Sequence, residues 1–183
     1  MSQSEELIHE LENSDCVVIG TPMHNFTVPS ALKVWIDHIV RVHRTFNVTK
    51  EGKVGILRDR PVIVAVSSGG RYSGERARQP DFHTPYLKAI LVTIGLHDLT
   101  FFSIEGTARD PDSVAVARAT TDQALQEYFG RRPNFTSNTP FPEPSSNPNT
   151  TVESTVSSIQ DARVAQDDGE VHMAAVGRQL GYG

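Results

Sequence analysis

The sequence has only one cysteine, Cys16, among its 183 residues, and no long hydrophobic run. A single cysteine excludes an internal disulfide and is typical of proteins from a reducing compartment. No apolar stretch approaches the roughly 18 residues of a membrane-spanning helix. The acidic start, MSQSEELIHELENSD, has neither the basic beginning nor the apolar centre of a signal peptide. These absences predict a cytoplasmic protein with no membrane partner.

Positive charge is scarce, and several well-known motifs are missing. The formal net charge is −5 and no basic cluster stands out, so no nucleic-acid partner is predicted. The sequence contains no GxxxxGK[ST], GxGxxG or GxSxG, the motifs of P-loops, dinucleotide-binding turns and nucleophile elbows. The seven histidines are scattered without HExxH or a cysteine partner set, so no metal site is predicted. No nucleophile–base pair can be assigned, and no catalytic side chain is named.

Continuous apolar runs alternate with amphipathic segments through the first 129 residues. Unbroken apolar runs are typical of strands buried on both faces, as in a parallel sheet, and they predict strands at 16–20, 61–66 and 99–104. Helical periodicity predicts helices at 4–13, 29–43, 82–94 and 111–129. Residues 44–60 are expected to be a connection with a turn at Glu51-Gly52. The order βαβαβα predicts an α/β fold with parallel strands and right-handed helical crossovers.

The composition changes after Phe129. From Arg131 to Gln160, 20 of 30 residues are Pro, Ser, Thr or Asn, and only five are apolar. Such a segment cannot bury enough surface to offset the entropy of ordering. We therefore predict a domain over residues 1–130 and a disordered tail over 131–183, with one weak helix as a possibility from 161 onward.

Two loops are candidates for a binding site: the first, Pro22–Phe26, follows the first predicted strand, and the second, Ser67–Gly70, follows the second. We predict that they lie side by side at the carboxyl edge of the parallel sheet. In an open α/β sheet, ligands bind at the carboxyl ends of the strands. The first loop offers apolar and aromatic surface with one amide, and the second offers hydroxyls and backbone N–H groups that glycine leaves accessible. This combination suits a flat heteroaromatic ring with polar edges, although plain turning and packing explains the spacing equally well. The candidate residues are Met23, His24, Asn25, Phe26, Ser67, Ser68, Gly69 and Gly70.

Two stretches closely resemble the FMN-dependent NADH-azoreductases, which are flavodoxin-like NAD(P)H:quinone reductases. They are TPMHNFTVPSALKVWIDHI, at 21–39, and SSGGRY, at 67–72. Shorter matches, RTF, TPYL, IGL and EG, extend the resemblance over roughly residues 4–129.

The resemblance implies a flavodoxin-like parallel sheet flanked by helices, with FMN as cofactor and NADH or NADPH as electron donor. It implies that Met23 to Phe26 line the isoalloxazine ring and that Ser67 to Gly70 bond its pyrimidine edge. It also implies two-electron transfer to a quinone or azo substrate, in a homodimer with the active site between subunits.

The sequence departs from this family at three places. His24 stands where the family usually has Tyr, and Ser68 occupies a position that is often Arg. The family also begins with a strand, a Ser-rich phosphate loop, a helix and a second strand that precede the matched region. The expected fold is thus an N-terminally truncated sheet of about three strands, with 16–20 as an exposed apolar edge and weak or no FMN binding. The alternative is a non-catalytic flavodoxin-like module acting in dimerisation or partner binding.

Overall fold

The computed structural model describes residues 2–109, 111–131 and 172–176. Four helices run through this part of the chain: α1 (Gln3–Asn13), α2 (Ser30–Ile39), α3 (His83–Thr93) and α4 (Pro111–Gly130). The strands are β1 (Cys16–Pro22), β2 (Phe46–Thr49), β3 (Gly52–Gly55), β4 (Val62–Ser68), β5 (Leu99–Glu105) and β6 (His172–Val176).

The three predicted strands form a parallel sheet, as expected. β4 lies between β1 and β5 and is parallel to both, with Val17 opposite Val62 and Val62 opposite Leu99. β1 and β4 each run two residues further than the apolar runs indicated, to Pro22 and Ser68. The carboxyl ends of both strands therefore lie next to each other at one edge of the sheet.

β1 and β4 are buried on both faces, which explains why they are apolar runs. Alternate residues of a strand point to opposite faces. Val17 and Ile19 pack into one cluster with residues of α1, α2 and α3, whereas Cys16 and Val18 pack into a second cluster with Leu125 and Phe129 of α4. Cys16 is 2% exposed, a small core residue as the sequence indicated.

α2 is shorter than predicted, because it ends at Ile39 and not at His43. The Thr45 hydroxyl donates to the carbonyl of Ile39 at 2.6 Å and accepts from the Arg41 backbone N–H at 3.0 Å. Thr45 is fully buried. A buried side chain thus takes the place of the next helical turn, a contact that apolar periodicity does not reveal.

The connection at 44–60 contains a hairpin that the sequence analysis missed. β2 and β3 pair antiparallel, with Phe46 opposite Gly55 and Thr49 opposite Gly52. Most of their residues are exposed, and Val48 and Val54 are flanked by polar residues or glycine, so no continuous apolar run marks them. The predicted turn at Glu51-Gly52 is where the two strands meet.

β1 is not an exposed edge, which corrects the expectation from the sequence. β6 pairs antiparallel with it, placing Cys16 opposite Val176 and Gly20 opposite His172. The sheet order is β5-β4-β1-β6. The suggested weak helix from residue 161 is also wrong at 172–176, where the backbone is a strand. Residues 132–171 and 177–183 of the segment predicted to be disordered lie outside the described residues.

Two arginines anchor α1 to the rest of the domain. The guanidinium of Arg60, 4% exposed, donates to the backbone carbonyls of Leu11, Glu12 and Ser14 at the helix C-terminus. A cation at that end also favours the helix dipole. Arg44 donates to both Glu5 and Glu12. Among the described residues, no helix is long and apolar enough to cross a membrane.

Candidate ring-binding site

The two candidate loops are joined directly where β1 and β4 end. Pro22 lies opposite Ser67 in the parallel register, and the Met23 backbone N–H donates to the Ser67 carbonyl at 2.8 Å. The sequence-based prediction that these loops lie side by side at the carboxyl edge is confirmed. Because the contact is between backbone groups, the relative position of the loops is set by the sheet itself.

The first loop closes in a tight two-residue turn. His24 and Thr27 exchange backbone hydrogen bonds of 2.9 Å in both directions, which makes Asn25 and Phe26 the turn residues. Their φ angles are 47° and 70°. Two positive φ angles are the geometry of a type I′ turn, in which Asn is common at the first position and Gly at the second.

Phe26 is therefore an unusual residue at the second turn position. A bulky side chain at positive φ costs about 1–2 kcal/mol relative to glycine. Burial of the Phe26 side chain offsets only part of this cost, because the residue is 43% exposed. The Phe26 carbonyl accepts the Phe82 backbone N–H at 3.0 Å, which fixes the turn against the residue before α3. Strain retained at an exposed aromatic residue is a feature of binding sites.

The second loop presents backbone and not hydroxyl groups. Ser67 and Ser68 are 6% and 2% exposed. The Ser67 Oγ is buried without a hydrogen-bond partner among the described residues, and the Ser68 Oγ accepts from Gln79 Nε2 at 2.9 Å. Gly69 is exposed and Gly70 half-buried, so the backbone of the two glycines is the accessible part of the loop.

A third loop, at 106–109, supports the second and was not recognised from the sequence. The backbone N–H groups of Gly106, Thr107 and Ala108 donate to the carbonyls of Gly70, Ser68 and Gly69 at 3.3, 3.0 and 3.3 Å, respectively. A Cβ on Gly69 would lie 3.4 Å from the Ala108 Cβ. The carbonyls of the second loop are thus turned toward the third loop.

Glu105 anchors the segment that follows the two glycines. Its Oε2 accepts the backbone N–H groups of Tyr72 and Ser73 at 2.8 and 3.2 Å, and its Oε1 accepts the Ser73 hydroxyl at 2.6 Å. Burial raises the pKa of Tyr72 to about 12, so its phenol stays neutral at neutral pH. The Glu-Gly pair at 105–106 belonged to the resemblance, but nothing in the local sequence linked Glu105 to this loop.

His83 is the first residue of α3 and directly follows Phe82, which donates to the first loop. It is fully buried, and neither ring nitrogen has a hydrogen-bond partner among the described residues. Burial lowers its pKa to about 4, against a smaller opposing effect of Asp81. At neutral pH His83 is therefore an uncharged core residue.

Four of the eight predicted site residues reach solvent, and all eight lie at one edge of the sheet. His24, Asn25, Phe26 and Gly69 are exposed, whereas Met23 and Gly70 are half-buried. In the described part of the chain, the backbone N–H groups of Asn25, Phe26, Gly69 and Gly70 donate no hydrogen bond. The arrangement offers an aromatic side chain, a thioether and several accessible N–H donors to one ligand.

Comparisons with known proteins agree with this geometry. FMN-dependent NADH:quinone oxidoreductase 4 from Pseudomonas fluorescens is 60% identical over 121 residues, covering 66% of this chain and 57% of the relative. FMN-dependent NADH:quinone oxidoreductase 5 from Burkholderia lata is 54% identical over 129 residues, covering 70% of this chain and 62% of the relative. The chain spans about three fifths of the length of these relatives.

Solved structures of azoreductases share the fold. Azoreductase AzrA superposes with a TM-score of 0.63 at 26% identity, covering 70% of this chain and 62% of its own. An FMN-dependent NADH-azoreductase from Bacillus anthracis, solved in complex with FMN, superposes with a TM-score of 0.57 at 28% identity. This match covers 69% of this chain and 61% of the azoreductase.

The match to a family profile covers most of the described residues. A profile described as the flavodoxin-like fold matches residues 1–129, the part of the chain that carries the parallel strands and both candidate loops. Sheet topology and sequence therefore lead to the same conclusion. This chain belongs to the flavodoxin-like fold family.

Proposed function

We propose that this chain forms the flavin-ring-binding part of an FMN-dependent NAD(P)H oxidoreductase that transfers two electrons to quinones and azo compounds. The observation that carries the proposal is the junction between Met23 and Ser67, which brings both candidate loops to one place. The names of the relatives and of the azoreductase structures support it. They favour this function over a non-catalytic module.

The residues at the sheet edge fit a flat heteroaromatic ring. Phe26 and Met23 offer apolar and polarisable surface, and aromatic pairs stack favourably when offset or edge-on. The unpaired N–H groups of Asn25, Phe26, Gly69 and Gly70 are donors suited to the carbonyl and nitrogen acceptors of a pyrimidine edge. Met23 to Phe26 and Ser67 to Gly70 are therefore the residues proposed to hold the isoalloxazine ring.

The bound FMN would supply the redox chemistry, and the protein residues supply binding and orientation. The type I′ turn fixes where the N–H groups of Asn25 and Phe26 point. The hydrogen bonds from the third loop orient the glycine backbone, because they hold its carbonyls away from the ring face. The apolar side chains keep water from one side of the site.

The finer features of the function are part of the same proposal. We propose NADH or NADPH as the electron donor, a homodimer as the working unit and a cytoplasmic location. The relatives' names support NADH and quinones, and the azoreductase structures support azo compounds. A single buried cysteine, 2% exposed, suits a reducing compartment.

A chimera tests the proposed function directly. The part of the Pseudomonas fluorescens relative that precedes its match would be fused ahead of this chain. We expect a yellow protein that reduces benzoquinone with NADH or NADPH, and that loses activity when FMN is removed. A colourless, inactive chimera that folds normally would count against the proposed function.

A further inference from the structure

Gln79 lies outside the candidate loops and contacts both of them through its terminal amide. Its Nε2 donates to the Ser68 Oγ at 2.9 Å and lies 3.3 Å from the Met23 Sδ. Gln79 belongs to the segment between Gly70 and α3, and it is half-buried. Its carboxamide therefore lies where the ends of β1 and β4 meet.

The same carboxamide covers the face of Gly70. A Cβ built on Gly70 would lie 2.1 Å from Gln79 Oε1 and 2.8 Å from its Cδ. The surface that glycine leaves open to a close approach is thus occupied by a neutral, planar group with one donor side and one acceptor side. These are the features that the polar edge of a flavin ring also presents.

We propose that Gln79 is a displaceable gate of the ring-binding site: its carboxamide must leave Ser68 and Gly70 before a flavin ring can bind there. This inference rests on the proposed function. Ring binding breaks the bond from Gln79 to Ser68, and the freed amide is hydrated, because Gln79 is partly exposed. The side chain consequently lowers the affinity of the site and favours ligands whose polar edge replaces its hydrogen bonds.

Two other roles for Gln79 lead to different outcomes. If the amide only packs the 71–82 segment onto the sheet, shortening it changes stability but not ring affinity. If the amide itself holds the ring, shortening it weakens binding. The sign of the change in affinity therefore separates the gate from both alternatives.

The test uses riboflavin as a ring-only probe, followed by quenching of its fluorescence. Gln79→Ala removes the amide, and Gln79→Asn withdraws it by one methylene. Both variants are expected to bind riboflavin about three- to tenfold more tightly than the unchanged chain, the range of one net hydrogen bond. Gln123→Ala is the matched control, since Gln123 is exposed and its amide donates to Glu127 on α4.

Thermal unfolding of each variant checks that the fold is retained. Unchanged or weaker riboflavin binding by folded Gln79→Ala overturns the gate while leaving the proposed function intact. Binding by the Gln79 variants alone, with none by the unchanged chain, supports the gate. If the unchanged chain and every folded variant fail to bind, the proposed ring site and the gate are both wrong.

Discussion

The backbone N–H of Tyr72 donates to the Glu105 carboxylate at 2.8 Å, across 33 positions of the chain. The same carboxylate accepts the backbone N–H and the hydroxyl of Ser73. One side chain at the end of β5 thus holds the segment that directly follows Gly69 and Gly70. The shape of the proposed ring site depends on this contact.

Replacing Glu105 should loosen that segment. Because hydrogen bonds to a charged group contribute about 1.5–3 kcal/mol, we expect Glu105→Ala to lower the free energy of unfolding by about 1–3 kcal/mol. Amide hydrogen exchange at Tyr72 and Ser73 should quicken. Glu127→Ala is the control, since exposed pairs such as Glu127–Arg131 contribute less than about 1 kcal/mol. Equal effects of the two substitutions would contradict the anchoring role.

Replacing Phe26 tests whether the strained backbone at this position serves ligand binding. At φ 70°, glycine is the favoured residue. We expect Phe26→Gly to raise the free energy of unfolding by about 0.5–1 kcal/mol and to weaken riboflavin binding, measured by urea denaturation and fluorescence quenching. Thr27→Gly is the control: Thr27 has no positive φ, so glycine there should destabilise the fold. A clearly destabilised Phe26→Gly variant would show that Phe26 contributes mainly to packing.

His83 should make the fold less stable as the pH falls below neutral. Its pKa is lowered to about 4 by burial, whereas an unfolded histidine titrates near 6.5. Between these values the unfolded chain binds more protons than the folded chain. The contribution of neutral His83 to the free energy of unfolding is therefore present above pH 6.5 and is lost as the pH falls toward 4. We expect the free energy of unfolding, measured by urea denaturation, to fall by about 1–2 kcal/mol between pH 7 and pH 5.

His83→Leu should remove most of that pH dependence, because leucine fills a similar buried volume without a titrating group. His97→Gln, at an exposed position, should behave like the unchanged chain. If His83→Leu keeps the full loss of stability between pH 7 and pH 5, another group is responsible.

β6 should protect the edge of the sheet. Without it, β1 would present unpaired backbone groups of buried apolar residues to other molecules. We expect a chain ending at Arg131 to self-associate, as measured by light scattering. The double substitution Ala174→Pro with Ala175→Pro should act similarly, because one of two adjacent N–H groups points toward β1 and proline lacks that donor. A monomeric shortened chain would contradict the edge argument.

The sheet and the pairing of the two site loops could be predicted from the sequence because their signals are local. Continuous apolar runs mark β1 and β4, and a run buried on both faces has few other interpretations. β5 is only partly buried, but most of its residues are apolar. The adjacency of Met23 and Ser67 then follows from the geometry of parallel strands.

Most of the missed features depend on contacts between distant residues. β6 is recognisable only through its pairing with β1, which lies some 150 residues earlier in the chain. Gln79 and Glu105 are ordinary polar residues until the fold brings them to Ser68 and Tyr72. The exposed hairpin of β2 and β3 carries no hydrophobic alternation strong enough to identify it.

The affinity of the unchanged chain for FMN and for riboflavin tests the central claim most directly. The described residues are proposed to contact the ring, and the resemblance places the phosphate loop ahead of the matched region. We therefore predict that both ligands bind with similar dissociation constants, each weaker than about micromolar. Fluorescence titration that finds no binding of either ligand by the unchanged chain or by folded Gln79→Ala, or micromolar FMN binding with much weaker riboflavin binding, would contradict a site that holds only the ring.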